Sequence, residues 1–505
     1  MKMQRLPRWL PALLTLVLMP LRAGAMDLAA TRAAIDAHIH QPRFAAARWG
    51  IAVVSLDSGR TLYAHDADKL FQPASTAKLF TAALVLSGLD TAYRIPTRVL
   101  GPAPDRRGRV DGPLVLYGMG DPSLGTAPST ANWADALAAQ LEAHGVRRVR
   151  GDLVADATYF AGAPIGSGWE AADLLSGFAA PASALSVDDN QLRLTVAPAA
   201  HDGRLAQLAF DRPSAAMLLE NRLITSPAGT AADINLYRTP GSDLLHAFGS
   251  IASRSSPRSF RLAIPDPARA AGNALLQALQ QRGIEVDGQL RVLRWPQLDT
   301  ALRTGAGVLA EVRSPPVAMI LREGLKRSQN LYLQNLLQLA GTRAAITAAA
   351  DPAATAGFLG AADWGIRALH QLLDRIGIPP SASLIGEGTG LSRRDLTTPA
   401  ALVRLLSFLA AGSDAAEVRD MLPVAAVDGT LAPRMRGTPA AGNVHAKTGS
   451  MTYVTCLAGY VTSAAGEHLA FAVLLNDYAP PAGMPASADV DAIAVWLAEL
   501  SERSL

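Results

Sequence analysis

Cysteine is all but missing from this sequence: Cys456 stands alone among 505 residues. A single thiol excludes an internal disulfide and any cluster of thiolate metal ligands. In its apolar surroundings it reads as a small buried hydrophobe. Charged residues are also few, at 18%, and Gly and Pro follow no short period. Low charge with half the residues apolar excludes a disordered chain, and the missing periods exclude collagen and coiled coil. The length leaves room for two or three domains around a substantial core. There is no internal repeat, and beyond residue 25 no apolar run of membrane length.

The start of the chain differs from the rest. Lys2, Arg5 and Arg8 precede an apolar stretch from Trp9 to Met19, and Ala23-Gly24-Ala25 follows. Basic, apolar and small residues in that order predict a cleavable secretory signal over residues 1–25. Pro11 and Pro20 oppose a spanning helix, so no transmembrane anchor is expected after processing. Those residues hold four cations (Arg22 is the fourth) and no acid, so their removal takes the formal net charge from +3 to −1. A near-neutral remainder gives no electrostatic reason to bind nucleic acid.

Along the remainder, an amphipathic stretch at 28–40 precedes an expected hairpin, Trp49–Leu56 and Thr61–Ala64 about Asp57-Ser58-Gly59. Pro73-Ala74-Ser75 opens a helical pattern that stops at Gly88. From about 96 to 299 short strands dominate, with one helix near Trp133–His144. Helical patterns return at Val317–Leu339 and Trp364–Ile376. Strands at Val444–Val461 and His468–Asn476 and a helix at Ala488–Leu500 close the chain. Strands from both ends around a helical middle predict an α+β domain formed by residues 26–95 and 300–505, split by a β-rich insert at 96–299.

Lysine is scarce: five of the 46 basic residues, namely Lys2, Lys69, Lys78, Lys326 and Lys447. Unlike Arg, a buried Lys can lose its charge and accept a proton. Lys78 follows Ser75 by three residues in a helix start, so hydroxyl and amine project from one face. Backbone N–H groups there lack helical partners and can meet a developing oxyanion, while a desolvated Lys78 can activate the Ser75 hydroxyl. Ser328-Gln329-Asn330 offers a hydroxyl to relay a proton and an amide to hold Lys78 or a substrate carbonyl. Lys447-Thr448-Gly449 offers charge and a hydroxyl for a carboxylate, a position open to close approach, and then the Ser450 N–H as a second oxyanion donor. Each triplet alone is weak. In this order they match the S-x-x-K, S-x-N and K-T-G set of penicillin-recognising serine enzymes.

With these motifs the sequence resembles the class C low-molecular-mass penicillin-binding proteins, the D-alanyl-D-alanine carboxypeptidase/endopeptidases. Further stretches carry the likeness: Gly118-Met119-Gly120-Asp121-Pro122-Ser123-Leu124, Ala184-Leu185-Ser186-Val187-Asp188-Asp189-Asn190, Gly390-Leu391-Ser392-Arg393 and Val427-Asp428-Gly429-Thr430-Leu431. The resemblance implies a serine β-lactamase/transpeptidase-like domain, an antiparallel sheet flanked by helices, with an insert between the first two motifs. It implies Ser75 as nucleophile, Lys78 as base, Ser328 and Asn330 as relay pair, and Lys447 and Thr448 as the carboxylate site. It also implies peptidoglycan stem peptides and cross-links as substrates, β-lactams as covalent inhibitors, no cofactor or metal, and a periplasmic location. Gln329, Gln334 and Glu387-Gly388-Thr389-Gly390 depart from the family's usual residues (Asp-Gly-Ser-Gly in the last case), which bears on rate and substrate preference. Similar enzymes carry an acid near Asp156, which makes it a candidate partner for a substrate ammonium; a turn-capping Asp is the plain alternative.

Three other readings remain in play. A β-lactamase or esterase of the same fold would need a deacylating acid, and none is evident between Asn330 and Lys447. A low-turnover sensor would keep the pocket and little activity. Asp36-Ala37-His38-Ile39-His40 has a metal-amidohydrolase spacing, but the helical pattern around it turns the two imidazoles apart.

Overall fold

The computed structural model describes residues 26–212, 217–349 and 358–504; the expected signal segment lies outside them. Strands from both chain ends build one antiparallel five-stranded sheet. Its order is His445–Met451, Val454–Thr462, His468–Asn476, Arg48–Ser55, Thr61–His65. Arg48 faces Asn476 and Ser55 faces Leu469, which fixes which side chains point to each face.

The period of two divides the core. Ile51, Val53, Phe471, Val473 and Leu475 pack with Ile35 and Ile493 of the helices Leu28–Ile39 and Ser487–Glu499. Ala52, Cys456, Ala458, Ala470 and Ala472 point the other way, toward Phe80 of Lys78–Gly88 and Leu402 of Pro399–Ala410. These small residues let the segment carrying Ser75 lie close to the sheet. Asp27 caps the first helix by accepting from the Ala30 N–H at 2.7 Å.

Three expected elements divide differently. Val317–Leu339 is two helices, Val317–Lys326 and Asn330–Ala348, broken at Ser328, whose φ is +55°. Val444–Val461 is two strands, folded back at Thr452-Tyr453 with Tyr453 at φ +64°. The helical start at Ser75 is a 3-10 turn, Ala74–Ala77, leading into the helix Lys78–Gly88.

Between the two parts of the sheet the chain forms a second five-stranded sheet. Its order is Leu290–Leu293, Leu153–Asp156, Leu114–Gly118, Arg94–Gly101, Gly307–Pro316. Two three-stranded sheets lie between Gln191 and Ala263. Besides the expected helix, observed at Trp133–Ala143, this region holds a second at Pro267–Gln281, started by the Asp266 side chain on the Arg269 N–H. Among the described residues no helix is long and apolar enough to cross a membrane.

Candidate active site

Ser75 lies on the 3-10 turn, half-buried, and the turn is packed against the edge strand of the first sheet. Gly449 permits that packing: a Cβ there would lie 2.6 Å from the Pro73 carbonyl oxygen. Gly390 closes from the other side. It has φ +75°, and a Cβ would overlap the Ala74 carbonyl oxygen. Ser75 therefore sits between a strand and a loop from distant parts of the chain.

Lys78 is fully buried at the start of the helix. Its Nζ donates to Ser75 Oγ at 2.8 Å, to Asn330 Oδ1 at 2.5 Å and to the Thr389 carbonyl at 2.7 Å. Burial lowers its pKa to about 7, with Glu387 acting the opposite way. A compact amine with three donors matches three acceptors arriving from different elements.

The helix break supplies the next group. With Ser328 in the left-handed region, its Oγ accepts from Lys447 Nζ at 2.8 Å. Asn330, the first residue of the following helix, uses Oδ1 for Lys78, while its Nδ2 donates to the Phe178 carbonyl at 2.7 Å. Lys447 is also fully buried, and it donates in addition to the Thr448 carbonyl at 2.8 Å. Its pKa falls well below the ordinary lysine value through burial first, then through the charges of Lys78 and Arg434. Thr448 Oγ1 lies 2.8 Å from Thr430 Oγ1, and Ser450 is exposed further along the strand.

The structure thus brings Ser75, Lys78, Ser328, Asn330, Lys447, Thr448, Gly449 and Ser450 to one cluster. Asp156 is not part of it. Its carboxylate is fully buried in the second sheet, 2.6 Å from Arg303 Nη1, and it also accepts from the Thr158 N–H at 2.8 Å. Paired with Arg303 and fully enclosed there, it faces no solvent from which a substrate ammonium could approach. His38 is buried among Phe44, Trp49 and Trp496, while His40 bonds the Asp36 carbonyl at the helix end. Sequence reasoning did not single out the Thr389 carbonyl or the Phe178 carbonyl. A backbone acceptor carries no residue signature that could reveal it.

Comparisons with known proteins bear on the family and the fold. A D-alanyl-D-alanine carboxypeptidase of Actinomadura sp. is 34% identical over 512 residues, covering 97% of this chain and 90% of that one. The D-alanyl-D-alanine carboxypeptidase DacB of Haemophilus influenzae is 26% identical over 432 residues, 85% of each. The crystal structure of penicillin binding protein 4 (dacB) from Haemophilus influenzae superposes with a TM-score of 0.78 at 24% identity, covering 91% of this chain and 97% of that chain. That likeness extends the shared fold across both sheets. The profile of one family matches residues 31–500, and with it the chain belongs to the D-Ala-D-Ala carboxypeptidase 3 (S13) family.

Proposed function

We propose that this chain is an exported, periplasmic serine D,D-peptidase that acts on peptidoglycan stem peptides and their cross-links through an acyl-enzyme. One observation carries the reading. Lys78 Nζ lies 2.8 Å from Ser75 Oγ, while Lys447 Nζ lies 2.8 Å from Ser328 Oγ, so each of two buried amines meets one of the two motif hydroxyls.

Ser75 Oγ attacks the carbonyl carbon of the D-Ala-D-Ala bond, and its proton passes to neutral Lys78. The oxyanion is received by the backbone N–H groups of Ser75 and Ser450. Lys78 returns the proton through Ser328 Oγ to the leaving nitrogen, the C–N bond breaks, and the terminal residue departs with its carboxylate on Lys447 and Thr448. Water then hydrolyses the ester. Asn330 holds Lys78 in register throughout. β-Lactams acylate the same hydroxyl and leave slowly. Both Glu387 oxygens are already occupied by N–H donors, so this acid is not free to activate water as a β-lactamase requires. The split architecture belongs to the same proposal, with the boundaries moved from the expected 95 and 300: Gly307–Pro316 pairs with Arg94–Gly101 in the second sheet, so the segments before Arg94 and after Pro316 form the catalytic unit, and the insert contributes the Phe178 carbonyl that steadies Asn330.

The test is to incubate the mature protein with a penicillin, locate the adduct by peptide mass mapping, and follow D-Ala release in parallel. A single adduct on Ser75 together with release is expected. An adduct elsewhere, or full release by Ser75→Ala, overturns the mechanism. Labelling without any release would favour a sensor.

A further inference from the structure

The loop from Gly386 to Gly390 holds Lys78 from a side the three motifs do not account for. Its shape is set from within by Glu387, whose carboxylate is 1% exposed. Oε2 accepts from the Thr389 N–H at 2.9 Å and the Trp169 indole at 3.3 Å, and Oε1 accepts from the Gly390 N–H. Gln334 Oε1 fixes the Gly388 N–H at 2.8 Å, and Thr81 Oγ1 donates to the Gly388 carbonyl at 2.9 Å. The Thr389 carbonyl is thereby aimed at Lys78 Nζ, 2.7 Å away.

Beside Glu387 lies a second acid, Asp395, also 1% exposed. Its Oδ1 accepts from the Gly386 N–H at 2.9 Å, whereas its buried Oδ2 has no donor among the described residues. Two neighbouring buried carboxylates do not both ionise readily. Glu387 has N–H donors on both oxygens, an arrangement that suits a carboxylate. Asp395 keeps a proton: burial, and then Glu387, push its pKa up to about 9. The unpartnered Oδ2 is where that proton fits.

We propose that Glu387 and Asp395 form a buried acid pair holding a single proton, carried by Asp395, which positions the Thr389 carbonyl on Lys78 and supplies the anion that this amine faces. The inference rests on the reading of Lys78 as base and names Glu387 and Asp395 as positioning residues for it. Acylation creates an ammonium inside the protein close to Lys447, and a single fixed anion offsets that charge. The charged groups facing Lys78 are Glu387 from this loop and Lys447 from the edge strand, with Arg434 acting on Lys447.

The experiment follows acylation by a chromogenic β-lactam against pH in the mature protein, Glu387→Gln, Glu387→Asp and Asp395→Asn. Glu387 raises the Lys78 pKa, so Glu387→Gln should move the acidic limb to lower pH. The share of plateau rate kept at pH 5 then rises about tenfold while the plateau itself falls. Glu387→Asp should restore the limb, and Asp395→Asn should leave it in place. A limb that stays put in Glu387→Gln, as loss of mere loop rigidity would give, overturns the proposal. Infrared spectroscopy reads that proton without relying on the stability of Glu387→Gln. A protonated-carboxyl band should persist at pH 8, where the buried acid Asp121 is ionised, and vanish in Asp395→Asn; its absence from the unmodified protein overturns the pair. Full activity in Lys78→Arg would instead sink the base reading, whereas an inactive Lys78→Arg with an unmoved Glu387→Gln limb sinks the acid pair alone.

Discussion

Replacing Lys78 by Arg keeps a cation on the same turn and removes only its capacity to accept a proton. Burial holds the Lys78 pKa at about 7, so about half the molecules carry a neutral amine at pH 7 and about a tenth at pH 6. At the ordinary value of 10.5, only about one in three thousand would do so at pH 7. Acylation should therefore rise about tenfold per pH unit up to 7 and then level off. A guanidinium is neutral in fewer than about one molecule in 10⁵ at pH 7. The loss is nevertheless capped, because water can take the proton instead, and a positioned base contributes about 10²–10⁴. We expect a drop of about 10³ in the second-order rate of acylation by a chromogenic β-lactam, with the acidic limb gone. Lys78→Met should lose as much without the added bulk. The methionine variant also tests the burial cost. The folded protein binds fewer protons at Lys78 than the unfolded chain between pH 7 and 10.5, so stability should climb with pH across that window. The climb amounts to about 5 kcal/mol at most and should be missing in Lys78→Met. A Lys78→Arg protein within tenfold of the unmodified rate, or an unmodified profile flat from pH 5 to 8, would refute the reasoning.

Gly390→Ala places a side chain against the Ala74 carbonyl in a left-handed residue. It should cost about 1–3 kcal/mol and lower the acylation rate further by displacing Ser75; an unchanged melting temperature and rate would contradict the clamp. Burial, Lys78 and Arg434 all disfavour a charged Lys447, and a substrate carboxylate restores that charge. Binding of an acyl-D-Ala-D-Ala peptide should therefore take up protons, seen by calorimetry in buffers of different ionisation enthalpy; zero uptake at every pH below the ordinary lysine range would count against the carboxylate site. Asp156→Asn leaves Arg303 without its buried anion and should cost about 3 kcal/mol in denaturant unfolding. A raised KM for a peptide bearing a free ammonium would return Asp156 to the substrate site.

What the sequence made legible was chemistry at short range. Ser75 and Lys78 could be paired because one helical turn separates them, and of the late strands the last could be found from its apolar run, Leu469–Leu475. Ser328 was readable as a residue but not as a break. Apolar periodicity runs through Val317–Leu339 because both helices are buried, and Arg327-Ser328-Gln329 holds no Gly, Asn or Pro to mark a stop. Its left-handed backbone accompanies a hydrogen bond to Lys447, 119 residues away. The turn at Thr452-Tyr453 was hidden similarly, since a left-handed tyrosine is no turn signal. Asp156 misled for the opposite reason: its partner Arg303 lies 147 residues further on, and nothing local distinguishes a committed carboxylate from a free one. The helix Pro267–Gln281 did carry a start signal, Asp266-Pro267, in a region otherwise dominated by strands.

The scarcity of lysine gains a physical meaning from where the four described lysines lie. Lys69 is exposed, but Lys78 and Lys447 are fully buried and Lys326 is 9% exposed. Lys326 is no spectator. Its Nζ reaches the Leu422 carbonyl at 2.6 Å and Asp428 at 2.6 and 2.8 Å, anchoring the segment that carries Thr430 to Thr448. All three sites demand a compact head whose donors diverge toward acceptors on separate elements, a shape the planar guanidinium fork does not have. At Lys78 and Lys447 burial lowers the pKa as well, but only Lys78 touches the Ser75 hydroxyl. The same cost of burial therefore yields a base in one place and, once a carboxylate arrives, an anion-binding cation in the other. The partner each amine faces, rather than its residue type, decides between them.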